Sequence, residues 1–194
     1  STAIILASWL IWTSLGSATL GRIADAISHK HRAFGSVQIL LALLLPSSIL
    51  MVRLSRILWN IPIGEVIDLA TMMGISFAIL APFCFFSGFL FALGCSVHSE
   101  TTGGRGKSVG SVYLLEAIGS GVGGVAFTAL FVHFLNHLQT SFALSALLVL
   151  SSMFLLLHPY GLKRGRSWVW ISGLFLIACF MVVAVHGEKW EMLS

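Results

Sequence analysis

Apolar residues in this chain run together in long blocks, separated by short polar segments. Six such blocks lie near residues 2–20, 33–52, 68–95, 109–132, 138–158 and 167–186. Each is long enough to cross about 30 Å of hydrocarbon as a helix rising about 1.5 Å per residue. The pattern predicts one all-α domain, a polytopic transmembrane bundle of about six spans. The third block is longer than a crossing needs and contains Pro82, which predicts a kinked or tilted span. Pro46 predicts the same for the second.

The polar segments set an orientation. Arg22, Lys30, Arg32, Arg105, Lys107, Lys163, Arg164 and Arg166 fall in the first, third and fifth connections. The opposite side carries only Arg53, Arg56 and Lys189. Basic residues accumulate on the cytoplasmic side of a membrane, so Ser1 is expected outside and, after six spans, the tail beyond His186 is outside too. Residues 53–65, RLSRILWNIPIGE, read either as a short interfacial helix with Trp59 at headgroup depth or as an ordinary loop.

Composition agrees with a membrane setting. Hydrophobic residues make up 57% of the 194 positions and charged residues only 9%, against about 25% charged in a soluble domain. Mean hydropathy is +0.97. The net charge of +4 belongs to the short connections, and no segment interleaves basic and aromatic residues on a solvated face, so nucleic acid is not an expected partner. Cys84, Cys95 and Cys179 lie inside apolar blocks with no pairing pattern and read as small hydrophobes. The chain opens at Ser1 with neither a basic leader nor a cleavage site, which makes it the expected piece of something longer.

The fourth block holds EAIGSGVGG, residues 116–124, in which Gly119, Gly121 and Gly124 match the spacing of a dinucleotide-binding loop. Such a loop follows a strand, opens a helix and is followed about 20 residues later by an acid. Here the glycines sit mid-block, and no acid follows until Glu188. The membrane reading fits better. Gly119 and Gly123, like Ser120 and Gly124, are four apart, a spacing that lets helix backbones touch. Gly106 and Gly110 extend the stripe, so the fourth span is expected to pack closely on a neighbour.

Glu116 is the costly residue of that span, because an unpaired charge in hydrocarbon costs several kcal/mol. Protonation, a hydrogen bond to Tyr113 or Ser120, or pairing with Arg105 or Lys107 would reduce that cost. It reads either as a proton or cation site or as a structural interhelical hydrogen bond.

His133 and His137 are one helical turn apart, a spacing able to bind a metal, and His186 is the only further histidine at matching depth for a bis-His haem. Interfacial polar residues are the preferred reading of all three, and no metal or cofactor is expected. His29 and His31 are expected to be solvated. With seven acids in the chain and no nucleophile–base motif, no active site of its own is expected.

Two stretches resemble known families. LGSATLGRIADAISHKHR, residues 15–32, resembles the cytoplasmic loop motif of major facilitator transporters, with Gly21, Arg22, Asp25, Lys30 and Arg32 in its places. In that family the motif follows the second helix, whereas here it follows the first block, so the fold would resemble half of such a transporter with one helix absent. GSVYLLEAIGSGVGG and the tail HGEKWEML, with the first stretch, resemble the membrane half of spermidine synthase-like membrane proteins. That resemblance implies an aminopropyltransferase-like domain after the tail. It carries no catalytic residue onto any position here.

The expected function is a non-catalytic membrane subunit or anchor, set in the lipid bilayer of a bacterial inner membrane. It would pack on other membrane subunits or hold a soluble domain. One alternative is a transporter-like module for a small cation such as a polyamine, with Glu116 as its site and Asp25 with Arg22 as a gate. A second is a haem-binding electron-transfer subunit.

Overall fold

The computed structural model describes residues 2–58, 68–102, 105–131, 133 and 135–157. The architecture is all-α. Helix α1 spans Thr2–Ala26, α2 Lys30–Leu58, α3 Leu69–Thr102, α4 Arg105–Ala126 and α5 His137–Leu157. Five segments are long and apolar enough to cross a membrane: Ala3–Ala26, Lys30–Val52, Met73–Glu100, Gly106–Ala129 and His137–Leu156. Helices suit that setting because every backbone N–H and C=O is satisfied within its own segment. The expected sixth span, near 167–186, lies outside the described residues.

The helices run past the ends of the apolar blocks. α1 continues six residues beyond the expected residue 20, so only residues 27–29 separate it from α2. Gly21, Arg22 and Asp25 are therefore helical rather than parts of a loop. α2 continues to Leu58, which makes the start of the 53–65 segment its last turns and not a separate interfacial helix. Trp59 lies outside the described residues. Pro46 and Pro82 both sit inside uninterrupted helices.

Hydroxyl side chains are accommodated by bonding back to their own helices. Ser8 donates to the Ile4 carbonyl, Thr13 to Trp9, Thr19 to Leu15, Ser47 to Leu43 and Ser120 to Ala117. Each hydroxyl then enters the apolar layer already satisfied.

α3 is the hub. α1, α2 and α4 pack against it, and α5 packs against α2. The core forms where α1, α2 and α3 meet, around Ala24, Val37, Leu41, Phe89 and Leu93, with a smaller cluster of Ala42, Phe142 and Val149 between α2 and α5.

α1 and α3 cross backbone to backbone. A Cβ added to Gly16 would overlap the Phe85 carbonyl, and one added to Gly88 would overlap the Thr13 carbonyl. Only glycine permits this approach at either position. Nearer the N-terminus of α1, the Trp12 indole N–H donates to the Phe77 carbonyl at 3.0 Å, with the two rings 4.9 Å apart.

The α2–α5 seam is held differently. Ser141, Ser145 and Ser152 are buried along α5. Ser152 donates to the Gly35 carbonyl at 2.9 Å, and the Gln38 amide donates to the Ser151 hydroxyl at 3.3 Å. The Gln38 amide oxygen is buried and finds no partner among the described residues. Losing the Ser152 bond by Ser152→Ala is expected to cost about 0.6–1.7 kcal/mol, the range for hydrogen bonds between membrane helices. Gln38→Leu removes a buried orphan acceptor along with a long bond and is expected to cost less. Unfolding titrations in mixed micelles would rank the two, and the reverse order would contradict this account of the seam.

Candidate functional site

Three polar links draw the other helices onto the C-terminal end of α3. The Ser96 hydroxyl donates to an Asp25 carboxylate oxygen at 3.1 Å, joining α1 to α3. The Lys30 ammonium sits 2.8 Å from Glu100, joining α2 to α3. Ser108 donates to the Cys95 carbonyl at 2.7 Å, joining α4 to α3. The ion pair is half open to solvent, with 53% of the Glu100 side chain exposed, so water screens it and it orients the helix ends more than it stabilises them. These links place Gly21, Arg22, Asp25, Lys30, Arg32 and Lys107 at one end of the bundle, as the charge pattern of the connections requires.

Two cavities open at that end. One, of about 350 Å³, lies between α1, α3 and α4 and is lined by Gly21, Asp25, Ala92, Cys95, Ser96, Gly106 and Val109. An added Cβ at Gly106 would meet nothing within 4 Å, so the glycine there widens this cavity. Its polar groups include the Asp25 carboxylate, which accepts from the Ser96 hydroxyl and can accept from a cation or a protic group. Arg22 is exposed, one helical turn before Asp25. The second cavity, of about 280 Å³, lies between α2, α3 and α5, with His31 and His98 in its wall. His31 is thus half-buried in the first turn of α2, not a solvated loop residue.

The glycine stripe of α4 makes no close helix contact among the described residues. From Tyr113 to Val125 every residue is exposed. A Cβ added at Gly110, Gly119, Gly121, Gly123 or Gly124 would meet nothing within 4 Å. No helix among the described residues covers Ser120 or the glycines around it. Among the described residues the backbone-to-backbone contact is the Gly16–Gly88 crossing of α1 and α3 instead. The reason is that α4 meets α3 through its N-terminal turns, around Ser108 and Val112, and then stands clear.

Glu116 is exposed on that helix and lines neither cavity. Because α4 starts at Arg105, the acid stands three turns into the helix and not two. It is about 15 Å from the start of the span at Gly106, near mid-membrane. Ser120 gives its proton to Ala117 instead of to the acid, and Tyr113 is exposed.

The histidine pair is broken by the backbone. α4 ends in a π-helical turn, Phe127–Phe131, and residues 135–136 are non-helical before α5 begins at His137. His133 and His137 therefore do not share a helix, and the His133 ring lies 3.1 Å from the Thr128 carbonyl. His186 lies outside the described residues. No group of three or more metal-ligating side chains occurs among the described residues.

Comparison with family models, curated proteins and solved structures finds no match for the chain.

Several of these features carried a signal in the sequence that spacing alone did not resolve. Ser17 and Gly21 on α1, and Gly88 and Ala92 on α3, have the same four-residue small spacing as the α4 stripe. Glu100 is the only acid between Asp68 and Glu116, so it was the natural partner for a basic residue at that end. Ser96, His98 and Gln38 gave no comparable signal.

Proposed function

We propose that this chain is a non-catalytic integral membrane subunit, whose α4 binds partner helices or positions an attached soluble domain at the membrane. The observation that carries the reading is the free face of α4, exposed from Tyr113 to Val125 and bearing both the glycine stripe and Glu116. Lipid solvates that face poorly. Glycines offer acyl chains little contact, and a carboxyl group near the mid-plane has no hydrogen-bond partner in hydrocarbon. A partner helix answers both needs, approaching the glycine backbone closely and supplying a donor to the acid. The basic end would face the cytoplasm, with a bacterial inner membrane as the setting. The resemblance to spermidine synthase-like membrane proteins would make the attached unit an aminopropyltransferase-like domain.

The test is co-purification from native membranes in mild detergent, with the intact mass of the released protein measured alongside. Gly123→Leu is expected to reduce partner recovery about tenfold, by blocking close approach. Gly74→Leu, on α3 where an added Cβ meets nothing within 4 Å, is expected to leave recovery unchanged. A mass well above the 20.9 kDa of this chain would identify an attached domain. Undiminished recovery with Gly123→Leu would sink the α4 assignment.

The Asp25 cavity favours one second reading, a module that passes a small cation, with Asp25 and not Glu116 as the cavity's acid. Cation uptake lost in Asp25→Asn and retained in Glu116→Gln would establish it over the subunit reading.

A further inference from the structure

Pro46 lies inside α2 and has no N–H, so the Ala42 carbonyl four residues earlier lacks its helical donor. Ala42 has no exposed surface and belongs to one cluster with Phe142 and Val149 of α5. Ser145 lies between those two residues, on the same helix face by its three- and four-residue spacing. Depth agrees with this placement. α2 and α5 are antiparallel, since Gly35 meets Ser152 and Gln38 meets Ser151, while Ala42, further along α2, joins the earlier α5 residues. Ala42 stands about 18 Å from Lys30 along its helix, and Ser145 about 12 Å from His137 along the other. Together these distances cover a hydrocarbon core of about 30 Å, which puts carbonyl and hydroxyl at one level near mid-membrane. Ser145 is fully buried, and its hydroxyl finds no partner among the described residues. Its neighbours differ: Ser141 bonds back to the Leu138 carbonyl, and Ser152 bonds across to Gly35.

We propose that the seam between α2 and α5 binds one internal water molecule at this level, which accepts from the Ser145 hydroxyl and donates to the Ala42 carbonyl. Water is the ligand this chemistry selects, because it donates and accepts at once and two polar partners suffice to hold it in an interior. Around a proline in a membrane helix, freed backbone groups are re-satisfied by ordered waters and by Ser or Thr side chains of neighbouring helices. The cluster around the pair, Ala42, Leu43, Phe142, Leu148 and Val149, carries no charge that an ion would need. The site involves neither α4 nor the Asp25 cavity, so it stands apart from both functional readings above.

The experiment is a double-mutant cycle on the full chain, read as the unfolding constant in mixed micelles. Ser145→Ala is expected to raise that constant roughly fivefold, the size of a hydrogen bond between membrane helices. In a Pro46→Ala background the N–H of residue 46 returns to the Ala42 carbonyl, and Ser145→Ala should then change the constant by less than about twofold. Ser141→Ala, which removes a bond within α5 only, should have little effect in either background. A neutral Ser145→Ala, an equal effect in both backgrounds, or an equal loss in Ser141→Ala would each overturn the proposal. Water-edited solid-state NMR of the unmodified protein in bilayers tests the ligand itself and needs no variant to fold. Polarisation is expected to pass from water to Ser145 and Ala42 before it reaches Phe142 and Val149, and no early transfer to that pair would also overturn it.

Discussion

Replacing Gly16 with valine is expected to destabilise the bundle by about 3 kcal/mol, the upper end of the range for overpacking a tight interface. The obstacle is a backbone carbonyl, that of Phe85, which cannot rotate aside as a side chain would. α1 must therefore separate from α3 along its length, and the contacts around Ala24, Phe89 and Leu93 loosen with it. Gly88→Val meets the Thr13 carbonyl and is expected to cost a similar amount. The double variant should cost clearly less than the sum of the two, because either substitution alone already parts the same pair of helices. Gly21→Ala provides the contrast, since its new methyl would stand an ordinary 3.6 Å from Ala92 and little should change. Unfolding in mixed micelles, followed by circular dichroism, measures all four. A full-cost Gly21→Ala or a tolerated Gly16→Val would show that the crossing is not backbone to backbone.

Glu116→Leu is expected to favour membrane insertion of the isolated α4 segment by about 3 kcal/mol, the difference between an acid and an aliphatic residue at mid-span. The same substitution is expected to reduce the recovery of α4 partners. A side chain that opposes insertion and yet is needed for assembly is held in place by an intermolecular hydrogen bond. Translocon-mediated insertion of Gly106–Ala129 gives the first quantity, and co-purification gives the second. Unchanged insertion would mean the carboxyl does not lie in hydrocarbon. Improved insertion with unchanged partner recovery would mean the acid takes no part in assembly.

Both predictions concern glycine-bearing helices, and they mark where sequence patterns stop being decisive. The stripes on α1, α3 and α4 look alike in spacing. Among the described residues only the α1 and α3 stripes are matched across a contact, because packing depends on which two surfaces fit, and that is a property of neither strip alone. The same limit applies to His133 and His137. Their four-residue separation describes a shared helix face only if the helix continues, and the chain leaves helical geometry between them. In the other direction, Lys30 and Glu100 lie 70 positions apart and meet only because α2 and α3 are antiparallel neighbours at that end.

The sequence by itself determined the all-α class, the five described membrane-length helices to within several residues at their ends, and the gathering of basic residues at one end. Those properties are local, since a block of apolar side chains with its backbone polar groups internally bonded specifies a crossing helix whatever surrounds it. Tertiary structure alone decided that α3 is the hub, that Gly16 and Gly88 carry the close crossing, that Asp25 and the two histidines line separate cavities, and that the α4 face stands free. Each of these depends on contacts between residues far apart in the chain, and hydrophobicity, which is similar on every span, does not distinguish one helix neighbour from another.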